Sequence, residues 1–131
     1  MADKATRLAA RRVRGTAARL AGRRQEIIAA LLLMAKGYRI LGFRLRTPEG
    51  EIDLLAQRGG VLVVVEVKSR GTLEAALEAV TPAQRGRLRR AARAMAARRS
   101  MRPNVRLDLV ALAPGSWPRH IPDAWRQDAE S

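Results

Sequence analysis

A chain of 131 residues with a formal net charge of +14 has room for one domain around one modest core; the charge suggests a polyanionic partner, nucleic acid first, although its Arg- and Ala-rich composition is also what codon bias in a GC-rich genome produces. It holds no Cys, which excludes disulfides, thiolate metal sites and a thiol nucleophile. Its one His, His120, sits in a Pro-flanked tail, so a His-rich zinc site is excluded as well.

Residues 1–19 read as a flexible basic arm ahead of a domain over 20–131. The arm's composition equally suits a transit peptide, but it lacks the apolar core of a secretory signal, and the expected compartment is the cytoplasm. A helix is expected over about 20–36, ended by Gly37. Its run IIAALLLMA (27–35) is shorter than the roughly 20 residues of a membrane span and reads as a buried helix face, so no membrane partner is expected. YRILGFRLR (38–46) is a first strand, TPEG a turn and EIDLLAQ (51–57) a second strand. RGG then turns the chain into VLVVVEVKSR (61–70), apolar enough to be the central strand of a sheet covered on both faces. The connection GTLEAALEAVTPAQ has room for a helical turn. A second helix follows over 82–99, with Pro82 in its first turn and an apolar stripe of Leu88, Ala91, Ala92, Met95 and Ala96. VRLDLVAL (105–112) is the fourth strand, and the tail from Pro114 is rich in turn residues. The fold class is α/β, in the order α-β-β-β-α-β, and the strand–helix–strand crossover makes the central sheet mixed.

The charges on the second and third strands set the functional question. Side chains two apart share a face, so Glu66 and Lys68 point one way, and so do Glu51 and Asp53. The hairpin makes the two strands neighbours, so the acids converge. A lone Glu–Lys pair at a strand end would be a solvated salt bridge worth almost nothing. Here the charges sit on the most apolar strand, where desolvation costs several kcal/mol unless they are matched. One Lys does not balance three acids. A divalent cation does, and carboxylates without Cys or His favour a hard ion, Mg²⁺ or Mn²⁺. No small-molecule cofactor is expected.

GEIDLL followed by VEVKSR, in this element order, resembles the core of the PD-(D/E)XK nuclease superfamily, and most closely the YraN-type family of small bacterial predicted endonucleases. The resemblance covers roughly residues 20–126. Glu26, Ala29, Leu33 and Gly37–Tyr38 fit the family's first-helix pattern, Arg106 to Asp108 its last strand, and PRHIPDAW its C-terminal segment. It implies a restriction-endonuclease-like core in which Asp53 and Glu66 are metal ligands and Lys68 positions water or neutralises charge. Glu26 matches the first-helix acid that in related enzymes approaches the metal; otherwise it is a helix N-terminal Glu favoured by the dipole. Glu51 either lines the site or faces solvent. Gln84 stands where the relatives usually have Lys, on the core-facing stripe four residues before Leu88, and so needs partners; Lys68 and a metal-bound water are candidates. Arg44 stands where the relatives usually have Asn. Asp108 reads as structural, paired with Arg106 or with a helix Arg.

Residues 85–106 contain nine Arg and no acid, and Arg85, Arg89 and Arg93 recur every four residues as one ridge. A solvated face usually mixes signs, so the ridge, with Arg70 at the end of the third strand, is expected to contact phosphates without reading bases. The expected function is metal-dependent endonuclease cleavage of DNA, possible substrates including branched or junction DNA. The rivals are a non-catalytic nucleic-acid-binding protein that keeps the fold, and a basic scaffold on RNA. Cutting both strands needs two sites, so a homodimer is expected, with Leu73, Leu77, Val80, Trp117 and Trp125 as its interface.

Overall fold

The computed structural model describes residues 23–99 and 104–129. The arm expected over 1–19 lies outside the described residues. Helix α1 is described from residue 23 and runs to 35. It ends where Gly37, at φ +90, turns the backbone in a conformation that suits Gly. Gly37 N–H donates to the Met34 carbonyl and Tyr38 N–H to that of Leu33, which satisfies the last carbonyls of the helix. Strands β1 (Arg39–Thr47), β2 (Gly50–Arg58) and β3 (Val61–Ser69) follow as an antiparallel meander. Helices α2 (Leu73–Glu78) and α3 (Pro82–Arg98) then cross over to β4 (Val105–Leu112), parallel to β3. A short β5 (Arg119–Ile121) pairs antiparallel with β4, and a 3₁₀ turn (Arg126–Ala129) ends the described chain. The mixed sheet has the order β1-β2-β3-β4-β5. The fold is the expected α/β restriction-endonuclease-like core, with α2 and β5 added to the expected element order.

The sheet is covered on both faces, which is why β3 is apolar on both. Val63 and Val65 pack with Ala29, Ala30, Leu33 and Tyr38 on the α1 side, while Leu62 and Val64 pack with Leu88, Ala91, Ala92 and Ala96 on the α3 side. Leu62 through Val65 are fully buried, and each contributes roughly 1.5–3 kcal/mol of transfer free energy. Crowding of that kind sets the price of putting a charge on the same strand.

Two expectations about apolar residues need correction. The α1 run is not buried all round: Ala29, Ala30 and Leu33 face the sheet, whereas Ile27, Leu31 and Met34 are 51–59 % exposed. The residues expected at a dimer interface are mostly consumed by folding. Val80 and Trp125 are core, Leu73 and Leu77 pack against it, and the Trp125 indole N–H donates to the Leu77 carbonyl at 3.3 Å. Of that set only Trp117 is exposed, at 90 %.

Candidate active site

The acids gather where the sheet forks. The β2–β3 ladder pairs Arg58 with Val61 and ends at Leu54 with Val65. Beyond that pair β2 continues with β1, while Glu66 to Ser69 continue with β4. Asp53 and Glu66 are the first residues past the split. The fork frees the Val67 N–H from the β2 ladder, and it donates to Asp53 Oδ2 at 3.0 Å. The backbone turns at the same level. Ile52 and Leu54 enter opposite core clusters, although a regular strand would send them to one face. Opposite Asp53 on β1, Arg44 takes the left-handed conformation at φ 49, and the β1–β2 register skips that position. A charged pair sits at the end of a buried strand because two neighbouring ladders part there.

The fork opens into a cavity of about 260 Å³ lined by Glu49, Glu51, Asp53 and Glu66, by Lys68 and Arg87, and by Gln84 at the start of α3. Four carboxylates face two cations, so full ionisation would leave two negative charges uncompensated. Glu66 answers that imbalance by holding a proton. Burial first, and then the charge of Asp53, push its pKa up to about 8. Burial also raises Asp53, against the opposing pull of the Val67 N–H and Lys68. Lys68 Nζ stands 3.9 Å from Glu66 Oε2, too far for a hydrogen-bonded salt bridge. Glu49 Oε2 is buried with no hydrogen-bond partner among the described residues.

This donor set suits a hard divalent ion. Its net charge deficit is that of one such ion, and its oxygens are the ligands Mg²⁺ prefers. Among the described residues, no three His, Cys, Asp or Glu side chains are gathered closely enough to hold an ion by themselves. The fit is therefore to an ion held by Asp53 and Glu66 that keeps waters or substrate oxygens in its remaining positions.

Not every residue expected at the site is brought there. The structure keeps Glu26 out of the cavity: it is buried against Arg44, whose Nε donates to both carboxylate oxygens at 2.8 and 2.9 Å. Gln84 lines the cavity, but its carboxamide oxygen accepts from Thr81 N–H at 3.1 Å in a capping box at the start of α3. Lys68 is not its partner. Glu51 does both things foreseen for it, lining the cavity while remaining exposed. Glu49 escapes the sequence reading, which takes Arg87 only as one of the nine Arg of the basic cluster and not as a cavity residue. Glu49 belongs to the turn before β2, which folds against Ala91, Ala94 and Arg98 of α3. Arg87 lies one helical turn past Gln84, outside the ridge of four-residue spacing.

The basic ridge divides in two. Asp128 supplies the acid that residues 85–106 lack: Arg85 donates to it from Nε at 2.7 Å and Arg89 from Nη1 at 2.7 Å. Arg85 first, then Arg89, pull the Asp128 carboxyl down to about 2. Arg85 also donates to the Val80 carbonyl and stacks over Trp125, and Arg89 donates to the Trp125 carbonyl. Both clasp the C-terminal segment to α3. Arg93 is exposed, but it lines another cavity of about 390 Å³ with Arg106 and Trp125, around the helix from the acids. The cations on the acid side of α3 are Arg87 and Arg98, both exposed. Arg70 is exposed at the end of β3 and donates to its neighbour's carbonyl at 2.7 Å.

Asp108 is structural, as expected, and fully buried. Arg106 donates to both its oxygens, His120 Nε2–H donates at 2.7 Å, and the Asp123 N–H at 2.9 Å. Burial works to raise its pKa, and His120, Arg106 and Asp123 outweigh that effect and hold it below the usual carboxylate range. Lys36 Nζ donates to His120 Nδ1 at 2.7 Å, so the one His of the chain ties β5 to β4 and to the turn after α1.

A mixed sheet between helices, forked at a half-buried Asp and a buried Glu with a Lys beside them, defines the restriction-endonuclease-like class. The family described as "Uncharacterised protein family UPF0102" matches residues 25–112. A UPF0102 protein of Caulobacter vibrioides (strain NA1000 / CB15N) is 70 % identical over 117 residues, covering 88 % of this chain and 94 % of the relative. A UPF0102 protein of Parvibaculum lavamentivorans is 50 % identical over 114 residues, 86 % of each chain. The chain belongs to the UPF0102 family, the YraN-type family that its motifs resemble.

Proposed function

We propose that this protein is an endonuclease that hydrolyses phosphodiester bonds in DNA with Mg²⁺ or Mn²⁺ held by Asp53 and Glu66. One observation carries the reading: the two acids share one fork, where burial raises both and the charge of Asp53 raises Glu66 further, and they lie beside a Lys 3.9 Å from Glu66. A bound hard ion supplies Lewis acidity and a water of lowered pKa. Asp53 is oriented for that task by the Val67 N–H. Lys68, with its side chain 23 % exposed at the cavity, orients the attacking water and offsets charge that develops on the phosphate. Arg87 and Arg98 steer the phosphate backbone to the fork. One fork per chain cuts one strand, so double-strand cleavage calls for two copies. The proposed compartment is the cytoplasm, where bacterial DNA is reached.

A second reading, a non-catalytic DNA-binding protein on the same fold, draws on Gln84. The residue brings no charge to the cavity, and its oxygen is committed to the cap of α3. Incubation with Mg²⁺ or Mn²⁺ over linear, nicked, flapped and four-way-junction DNA separates the two. The nuclease reading expects cleavage that chelator abolishes; the binding reading expects none.

A further inference from the structure

Beside the fork, on the α1 side, lies a second recess that the cleavage chemistry does not use. Arg23, Glu26 and Ile27 of α1 and Phe43 and Arg44 of β1 enclose about 340 Å³, within the range of small-ligand pockets. The recess adjoins the acids. Phe43 pairs with Leu54 and Leu45 with Ile52, which sets Arg44 opposite Asp53. Its apolar walls are open to solvent, Ile27 being 51 % and Phe43 42 % exposed. The left-handed backbone at Arg44 is uncommon for a side-chain-bearing residue and tends to persist at working sites.

The charges of the recess are partly matched. Arg44 is paired with buried Glu26, so the two cancel. Arg23 is exposed and makes no ion pair among the described residues, so the described lining of the recess carries one net positive charge. An aromatic face, an aliphatic wall and one net cation suit a ligand with a flat ring and a single negative charge. A nucleotide within a phosphodiester strand has that chemistry. Bases inside a duplex are stacked on both faces, so away from duplex ends only an unpaired base can lie on Phe43.

The geometry points to a subsite in this recess for one unpaired nucleotide of the bound strand, its base on Phe43 and its phosphate on Arg23. Its place next to the cleavage position rests on the nuclease reading. The subsite then assigns the substrate class: nucleic acid with an unpaired segment beside the cut, such as a flap or an open junction, in preference to blunt duplex.

Fluorescence anisotropy of the full chain in chelator tests this without cleavage. The probes are a blunt duplex, a duplex with a short single-stranded flap, and free dAMP as competitor against the flap. The wild type is expected to bind the flap more tightly than the duplex. Phe43→Ala is expected to weaken flap binding about fivefold or more, so that the preference collapses toward unity. Phe43→Leu, which keeps apolar volume without an aromatic face, is expected to behave like Phe43→Ala; Phe43→Trp keeps the preference. Arg23→Gln lowers flap affinity severalfold. Thermal melts of each variant separate loss of binding from loss of fold. No flap preference in the wild type, or a preference that survives Phe43→Ala, overturns the subsite. Competition by dAMP as strong as by unlabelled flap overturns its assignment to a strand. Failure of cleavage leaves these binding results intact, and cleavage with an indifferent Phe43→Ala sinks the subsite alone.

Discussion

Replacing Glu66 with Gln changes a proton equilibrium, and its effect on stability has a definite sign. The Glu66 pKa is raised from 4.5 to about 8 in the folded chain. A group raised on folding contributes its stability fully below the unfolded pKa and loses it as pH climbs through the folded one. Asp108 and Asp128, both lowered on folding, lose their contribution as pH falls below about 4, so the metal-free wild type should be most stable near pH 5 and weaken toward about pH 8. For an isolated group, the interval from 4.5 to about 8 corresponds to roughly 5 kcal/mol. Asp53 shares the proton, so about 2–4 kcal/mol is the expected gain for Glu66→Gln near pH 8. That amounts to a rise of roughly 5–15 °C in Tm for a domain of this size. Urea denaturation of both proteins across that pH range, with and without millimolar Mg²⁺, measures it. The variant should fall much less than the wild type, keeping only the part due to buried Asp53, and Mg²⁺ should raise the wild type more than the variant. If Glu66 served instead as a salt-bridge partner of Lys68, Glu66→Gln would lower stability at every pH in the window. That outcome would refute the account of the fork.

Other consequences follow from the same geometry. Because metal must displace a proton from the acid pair, apparent Mg²⁺ affinity measured by calorimetry should rise about tenfold per pH unit up to about 8 and then level off. Changing Arg87 and Arg98 together to Gln should reduce the slope of log affinity for DNA against log salt by about 0.9 for each phosphate that the variant no longer neutralises. Arg85→Gln and Arg89→Gln should leave the slope nearly unchanged and lower Tm instead. Asp128→Ala leaves both guanidiniums with carbonyl acceptors only and should cost about 1–3 kcal/mol, with Trp125 fluorescence shifting to the red as the C-terminal segment loosens.

The sequence conveys β3 well because four fully buried aliphatic residues in a row have few other places to go. It conveys the pairing of Asp53 with Glu66 for the same reason: a hairpin with short turns leaves little freedom in register. It does not convey the fork. Strict alternation assigns Ile52 and Leu54 to one face, and only the backbone turn opposite Arg44 separates them. Glu49 is hidden in a turn whose fold against α3 depends on tertiary packing. Arg85 and Arg89 look like a free ridge because their acid lies 43 and 39 residues away. Val80 and Trp125 look available for a partner because an apolar residue does not say which apolar surface will cover it. Gln84 does need a partner, and it finds Thr81 three residues before it, closer than any group in the cavity.

The central claim is that the fork does metal-dependent chemistry in which Lys68 takes part. The most direct measurement compares wild type with Lys68→Met for nicking of linear, flapped and four-way-junction DNA in Mg²⁺ or Mn²⁺, with DNA and metal binding measured alongside. The account expects cleavage of at least one substrate by the wild type, its loss in chelator, and its loss in Lys68→Met while metal and DNA binding persist. No cleavage by the wild type under any of these conditions, or Lys68→Met cutting as fast as the wild type, would contradict it.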